Sequence, residues 1–104
     1  MLIRRGDKIL VSLNPTIGSE QGKTRPAIVV QNDIGNKYSP TTIVVPLTSN
    51  IRNVYPTDVL INESKADCSQ IRTIDKMRIL KKLGKVKEEE IDLIDKALKI
   101  SLSI

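Results

Sequence analysis

Pro26-Ala27-Ile28-Val29-Val30 is a continuous apolar run rich in β-branched residues. A second run of the same kind is Thr42-Ile43-Val44-Val45-Pro46-Leu47. β-branched side chains favour strands, and an uninterrupted apolar run is typical of a strand that is covered on both faces. The two runs therefore predict two buried strands.

Three further strands are predicted around these runs. Residues 8–13 alternate between apolar and polar side chains and are stopped by Asn14-Pro15. Residues 57–61 and 69–74 are the other strand candidates. The connections carry Pro, Gly, Asn and Ser, as turns require.

The C-terminal segment has a helical pattern. Glu88, Glu89 and Glu90 would lie in the first turn, where acids complement the helix dipole. The apolar side chains share an arc of roughly half the helical wheel, wider than the ~100° stripe of a surface helix, so contact with more than one neighbour, including a second subunit, is expected. This arc contains Ile91, Leu93, Ile94, Ala97, Leu98, Ile100, Leu102 and Ile104. The elements together predict an α+β, mainly β protein: a compact antiparallel barrel with a C-terminal helix.

The composition limits the kinds of site that the chain can build. Its 104 residues are expected to form one domain, residues 1–104, and the absence of Phe and Trp requires an aliphatic core. With no His, a histidine-ligated metal site or a Cys–His nucleophile is excluded, and no cofactor is expected. No window approaches the about 18 apolar residues of a membrane span, and charge comes too early for a signal peptide. The single Cys68 favours the cytoplasm and a buried, unreactive thiol.

The net charge of +5 is unevenly distributed. Between residues 72 and 87 there are seven basic side chains, opposed only by Asp75. A basic stretch of this density can attract a polyanion, and an ordinary solvated surface is an equally good interpretation.

Two polar loops and one arginine are the candidate functional features. The loop Gly18-Ser19-Glu20-Gln21-Gly22 lies between the first two strands, and its glycines suit either a hinged lid or a plain hairpin. Arg25 then enters an apolar strand, where a cation needs a salt bridge or an anionic ligand. The second loop, Leu47-Thr48-Ser49-Asn50, places hydroxyls and an amide at a strand end.

An ordered set of motifs, covering essentially the whole chain, resembles the signature of the MazF/PemK toxins. In chain order the motifs are Arg5-Gly6-Asp7, Leu13-Asn14-Pro15, Gly18-Ser19-Glu20-Gln21-Gly22, Arg25-Pro26, Gln31-Asn32-Asp33-Ile34-Gly35-Asn36, Ser39-Pro40-Thr41, Pro46-Leu47-Thr48-Ser49 and Gln70-Ile71-Arg72-Thr73-Ile74-Asp75-Lys76. Residues 97–102 are similar to the family's terminal helix. Single motifs are weak signals, but the ordered set is highly specific.

The resemblance implies an SH3-like barrel and the toxin of a toxin–antitoxin system. Such toxins are homodimers that cleave single-stranded mRNA at short sequences and are inhibited by a cognate antitoxin. By position, Arg25 and Thr48 match the family's catalytic pair. Ser19, Glu20 and Gln21 fall in the loop that borders its RNA groove.

RNA cleavage without a metal ion proceeds by attack of the ribose 2′-OH on the adjacent phosphorus. Arg25 suits stabilisation of the charged phosphorane, because its planar fork matches phosphate oxygens. Neutralising a guanidinium at pH 7 costs about 8 kcal/mol, so we expect Arg25 to clamp phosphate, with proton donation as a second candidate role, rather than to act as the general base. The general base stays unassigned. Glu20 is a candidate base or a solvated loop carboxylate, and Thr48 can donate its hydroxyl to a phosphate oxygen.

Base recognition is expected to use hydrogen bonds, because two tyrosines provide little stacking. Gln21, Ser49, Asn50 and Gln70 offer suitable groups. Gln70 and Arg72 alternate onto one strand face, which predicts either a shared groove or a simple sheet edge.

The chain departs from the family pattern at two places. Ser69 replaces an acid that many relatives carry, and residues 63–68 form a shorter segment than usual. These departures motivate a second interpretation, a catalytically weak RNA- or antitoxin-binding protein on the same barrel. A CcdB-type gyrase poison is a third, disfavoured because this chain lacks the C-terminal tryptophan of that type.

Overall fold

The computed structural model describes residues 2–13 and 24–104, which contain seven strands and two α-helices. In chain order they are β1 (Asp7–Ser12), β2 (Thr24–Val29), α1 (Asp33–Tyr38), β3 (Thr41–Thr48), β4 (Asp58–Ile61), β5 (Ser64–Asp67), β6 (Arg72–Asp75), β7 (Ile79–Lys85) and α2 (Glu88–Leu102). A 3-10 turn, Lys76–Arg78, joins β6 to β7. Within these two ranges, no helix has the length and apolar character needed to cross a membrane.

The described strands pair antiparallel in the order β4-β5-β3-β2-β1-β7, and β6 pairs with β3. The eight-residue β3 pairs with β6 through its first half and with β5 through its last two residues, so the sheet divides around it. The prediction of a mainly β antiparallel fold with a C-terminal helix is confirmed. Among the described strands the sheet is not closed, because no pairing joins the end strands β4 and β7.

The strand boundaries agree with the sequence pattern except at β6, which begins at Arg72 rather than at position 69. The preceding residues form a turn, since the side chain of Asp67 accepts a hydrogen bond from the Ser69 N–H, and its carbonyl accepts one from the Gln70 N–H. The pattern missed β5, β7 and α1. The six-residue α1 is too short to show a helical period, and β7 exposes every residue after Ile79, so it has no apolar alternation.

Each face of the sheet carries an apolar cluster. The main core lies between the sheet and α2 and contains Ile28, Val30, Val45, Leu47, Val59, Ile61, Ala66, Cys68, Val86, Ile94 and Ala97. The smaller cluster lies on the opposite face and contains Ile3, Ile9, Val11, Ala27, Val29, Val44 and Ile74. Successive residues of β2 alternate between the two clusters. The prediction that the two apolar runs are covered on both faces is therefore confirmed.

Helix α2 begins as the sequence predicts, and the Lys87 N–H donates to the Glu90 side chain at 2.8 Å. Ile94 and Ala97 are buried against the main core. Part of the predicted arc stays exposed in the single chain, including Leu93, Ile100 and Leu102. The chain itself thus covers only part of the apolar arc.

Cys68 lies in the main core and is fully buried. Burial, with the nearby carboxylates of Asp67 and Asp58, raises the pKa of the Cys68 thiol to about 11. A thiol in such surroundings stays protonated and is a poor nucleophile. The prediction of a buried, unreactive cysteine is confirmed.

A buried polar network fastens α1 to β3. The Asn36 side-chain oxygen accepts hydrogen bonds from the Gln31 amide and the Thr42 hydroxyl, and its amide donates to the Gln31 carbonyl. The ammonium of Lys76 donates to the backbone carbonyl of Asn36. Buried polar groups that are fully paired stabilise a fold, whereas removing one partner leaves the others with the cost of desolvation.

The Asp33 carboxylate, at the first turn of α1, accepts hydrogen bonds from the Arg5 N–H at 2.7 Å and from the Asn36 amide at 3.1 Å. The Arg5 guanidinium bonds the Val30 carbonyl and the Asp95 carboxylate of α2. The hydrogen bond from Arg5 and then that from Asn36, reinforced by the charges of Arg4 and Arg5, lower the pKa of Asp33 from 3.8.

Replacing Asn36 by Ala is expected to lower the free energy of unfolding by about 2–3 kcal/mol, because Thr42 and Gln31 lose their partner inside the protein. Urea denaturation measures the change. Ile34→Ala, on an exposed position of the same helix, is the matched control and should change stability by no more than about 0.5 kcal/mol. Equal effects of the two substitutions would contradict the role of the network.

The pH dependence of stability tests the Asp33 contacts. The pKa of Asp33 is lower in the folded than in the unfolded chain, so its ionised form stabilises the fold above pH of about 4, and this stabilisation is lost as the pH falls through the lowered pKa. We expect the stability difference between wild type and Asp33→Asn to be largest near neutral pH and to shrink in acid. Glu63→Gln, in an exposed turn, is the matched control for removal of one carboxylate. A difference independent of pH would refute the assignment.

Candidate functional site

A groove of about 310 Å³ opens on the sheet face that carries the smaller cluster. We call it the Arg25 groove, and its lining residues are Val11, Leu13, Arg25, Pro26, Ala27, Val44, Pro46, Gln70, Ile71 and Arg72. Strands β1, β2 and β3 contribute most of its apolar groups, and Leu13 and Ile71 lie next to the ends of β1 and β6. The polar groups are two guanidiniums and one amide, from Arg25, Arg72 and Gln70.

The antiparallel register explains why these side chains share one face. Arg25 of β2 lies opposite Val11 of β1, and Arg72 of β6 lies opposite Val44 of β3. Directly opposed residues of an antiparallel pair project to the same side of the sheet. Two guanidiniums that are far apart in the sequence therefore approach one groove. Gln70 precedes Arg72 by two positions and lines the same groove, as predicted from their alternation.

Arg25 is half-buried among apolar side chains. Its guanidinium is a rigid fork of donors that matches the oxygens of a phosphate or carboxylate. An anion held against an apolar wall interacts more strongly than one in open water, because the local dielectric constant is lower. The groove thus combines a strong anion-binding group with a surface that could contact an apolar ring.

Thr48 ends β3 beside the groove, although it is not one of the lining residues. Pro46 of β3 lies opposite Ala27 of β2, and in sequence Thr48 is two residues after Pro46 and Arg25 two residues before Ala27. The Thr48 hydroxyl oxygen accepts a hydrogen bond from the Asn50 N–H at 3.2 Å. Because a hydroxyl both accepts and donates, its hydrogen can still be donated to a ligand.

The other predicted residues lie in three places. Ser49 and Asn50 are exposed immediately after Thr48, and the Asn50 side chain accepts a hydrogen bond from the Arg52 N–H. Ser69 is exposed and donates its hydroxyl to Asp67. Three predicted residues lie outside the described part of the chain: Ser19, Glu20 and Gln21.

The basic stretch at residues 72–87 does not form one surface. Arg72 lines the Arg25 groove, and Lys76 bonds a backbone carbonyl of α1. Lys82 pairs with the Asp7 carboxylate at 3.3 Å. Arg78, which sequence reasoning did not single out, bonds the Ser12 carbonyl at the end of β1. Only its place within this basic stretch could have drawn attention to it.

A larger hollow, of about 650 Å³, lies between the N-terminal segment and α1. Its charged residues are Arg4, Asp33 and Lys37, and its walls include the exposed side chains of Ile34 and Tyr38. The Asp33 carboxylate is already engaged by hydrogen bonds that hold α1. We therefore place the functional site at the smaller Arg25 groove, where the cations converge.

The chain is similar in sequence to known proteins. Residues 4–102 match a protein family described as PemK-like, MazF-like toxin of type II toxin-antitoxin system. The chain is 43% identical over 113 residues to Endoribonuclease EndoA of Bacillus subtilis (strain 168), in an alignment that covers 100% of this chain and 97% of that protein.

Solved structures show the same fold at lower identity. MazF from Deinococcus radiodurans aligns over 100% of this chain and 99% of its own, with a TM-score of 0.85 and 21% identity. An endoribonuclease from Mycobacterial species, solved in complex with its cognate antitoxin, aligns over 98% and 96%, with a TM-score of 0.85 and 22% identity. The family match covers nearly the whole chain, so this protein belongs to the PemK-like, MazF-like toxins of type II toxin–antitoxin systems.

Proposed function

We propose that this toxin is a sequence-specific endoribonuclease that cleaves single-stranded mRNA without a metal ion. The observation that carries the proposal is the Arg25 groove, in which two guanidiniums face the same apolar-walled depression. The similar Bacillus subtilis protein is named an endoribonuclease, which supports the same activity here.

The chemistry of the groove favours unpaired RNA. Its apolar wall can contact the face of a base, and that face is accessible only where the strand is not stacked in a duplex. Arg25 and Arg72 can bind the phosphates of the same strand as bidentate partners. Gln70 in the groove, with Ser49 and Asn50 beside Thr48, offers hydrogen-bonding groups for reading base edges.

The reaction that fits these groups is transfer of phosphate to the neighbouring ribose. The 2′-hydroxyl gives its proton to a general base and its oxygen forms a bond to phosphorus, while the bond to the 5′-oxygen breaks and that oxygen takes up a proton. The products are a 2′,3′-cyclic phosphate and a 5′-hydroxyl, and the proposal leaves the general base unassigned. Arg25 stabilises the negative charge that develops on the phosphorane oxygens, and Thr48 donates its hydroxyl to one of them. Donors that are already oriented toward developing charge supply a large share of catalysis.

We further propose that the protein acts in the cytoplasm as a homodimer of single domains, residues 1–104, and is inhibited by a cognate antitoxin. The exposed apolar residues of α2, Leu93, Ile100 and Leu102, are suited to contact with a second copy. An unpaired cysteine fits a reducing compartment. MazF of Deinococcus radiodurans has been solved with MazE, which supports an antitoxin partner for this chain.

The activity test mixes purified protein with a long single-stranded RNA in the presence of a chelator. Wild type should produce discrete cuts with cyclic-phosphate ends. Arg25→Ala should lower kcat by about 100-fold or more, because an oriented donor to the transition state is lost. Arg25→Lys keeps the charge but loses the planar fork, so it should also be impaired.

Arg4→Ala is the matched control, because Arg4 is exposed and lies at the other hollow. It should cleave like wild type. Intact RNA with the wild-type protein, both with the chelator and without it, would refute the nuclease proposal, and binding of that RNA without cleavage would favour the RNA-binding alternative. Loss of cleavage on metal removal would refute metal independence alone.

Arg72 is expected to bind a phosphate of the RNA strand rather than to act on the bond that breaks. Binding of a 2′-deoxy-substituted, uncleavable RNA should weaken in Arg72→Gln, and the slope of log affinity against log salt should fall by about 0.7 for one lost contact. Lys99→Gln, on the exposed side of α2, should leave the slope unchanged. An unchanged slope in Arg72→Gln would show that this side chain does not contact phosphate.

A further inference from the structure

A buried ion pair lies beneath the segment that follows Thr48. The Lys65 ammonium is 3.5 Å from the Asp58 carboxylate, and it donates a hydrogen bond to the Asn53 carbonyl at 2.6 Å. The two side chains are only 12% and 4% exposed. Both side chains are thus largely shielded from water, which makes the pairing of their charges important.

The ion pair closes the loop of residues 49–57, which we call the β3–β4 loop. The Asp58 carboxylate accepts a hydrogen bond from the Tyr55 N–H at 2.9 Å, and the Asp58 N–H donates to the Tyr55 carbonyl. The Asn53 carbonyl accepts a hydrogen bond from the ammonium of Lys65, which belongs to β5. Lys65 and Asp58 therefore fasten the second half of the loop at two points.

The first half of the loop is fastened to Thr48 itself. The Asn50 N–H donates to the Thr48 hydroxyl oxygen, and the Asn50 side chain accepts from the Arg52 N–H. Residues 49–56 are all exposed, so apolar burial cannot hold the loop in one conformation. Its order depends on these polar contacts and on the ion pair.

Lys65 also lies directly opposite Thr48 in the ladder between β3 and β5. Opposed residues project to the same face of the sheet, with Cβ atoms about 5 Å apart. The aliphatic stem of Lys65 thus lies beside Thr48 while its ammonium holds the loop. One side chain links the position of the proposed catalytic hydroxyl to the position of Ser49 and Asn50.

We propose that Lys65 is a positioning residue for the cleavage reaction, which sets both the geometry of Thr48 and the base preference of the β3–β4 loop. The inference rests on the proposed ribonuclease function. Lys65 acts through Thr48 and the loop, since its charge is engaged by Asp58 and Asn53. Its loss should therefore lower kcat and broaden the choice of cut sites, with a smaller effect on KM.

The test compares Lys65→Met, which keeps the aliphatic stem, with the double variant Lys65→Met/Asp58→Asn. The double variant removes the carboxylate that the single variant leaves buried without its cation, so it should recover stability. Both variants should lose kcat by about 10- to 100-fold, because a displacement of the order of 1 Å at a reacting group has an effect of this size. Mapping of the cut ends by sequencing should reveal sites that wild type leaves intact.

Lys81→Met, on an exposed position of β7, is the matched control and should behave like wild type. Folded protein is quantified by circular dichroism, so that kinetic constants refer to native molecules. If both Lys65 variants retain wild-type kcat and cut sites while only their urea midpoint falls, Lys65 is merely structural and the inference is overturned. If wild type itself leaves RNA intact, the ribonuclease proposal fails. In that case the Lys65 variants are compared with wild type in binding of uncleavable RNA, and an unchanged base preference overturns the role of Lys65.

Discussion

The register of β3 against its neighbours is the constraint on which the site depends. Side chains alternate between the faces of a sheet, so a slip of β3 by one residue would turn Thr48 away from the face that carries Arg25. The register is held because β2 and β3 bury apolar side chains on both faces. A slip of β3 would exchange Val44 and Val45 between the two clusters and turn the polar Thr48 toward the main core.

The core is aliphatic and contains no Phe or Trp. Outside this core, polar contacts hold α1 and the β3–β4 loop in place. Asn36 and Asp33 hold α1, and the Lys65–Asp58 pair holds the β3–β4 loop. Each network links segments distant in sequence; Arg5 connects α1 with α2 in this way. Such contacts orient side chains more strictly than apolar packing does, because hydrogen bonds depend on direction as well as distance.

Much of the fold follows from local patterns. The apolar runs around Ile28 and Val45 predict strands covered on both faces, and the amphipathic pattern with three leading glutamates predicts α2. Strand β7 could not be found in this way, because it is an exposed strand whose lysines mask any alternation. The open sheet could not be predicted from local patterns either, because the division of β3 between two partners depends on long-range pairing.

The candidate site likewise has features that the sequence predicts and features that only the tertiary structure shows. Residue chemistry and strand alternation were enough to select Arg25 and to place Gln70 and Arg72 on one face, since both are properties of a single segment. The family motifs added Thr48. Only the tertiary structure brings Arg25 and Arg72 into one groove and sets the buried Lys65 opposite Thr48, because those relations are created by pairing between strands far apart in the chain.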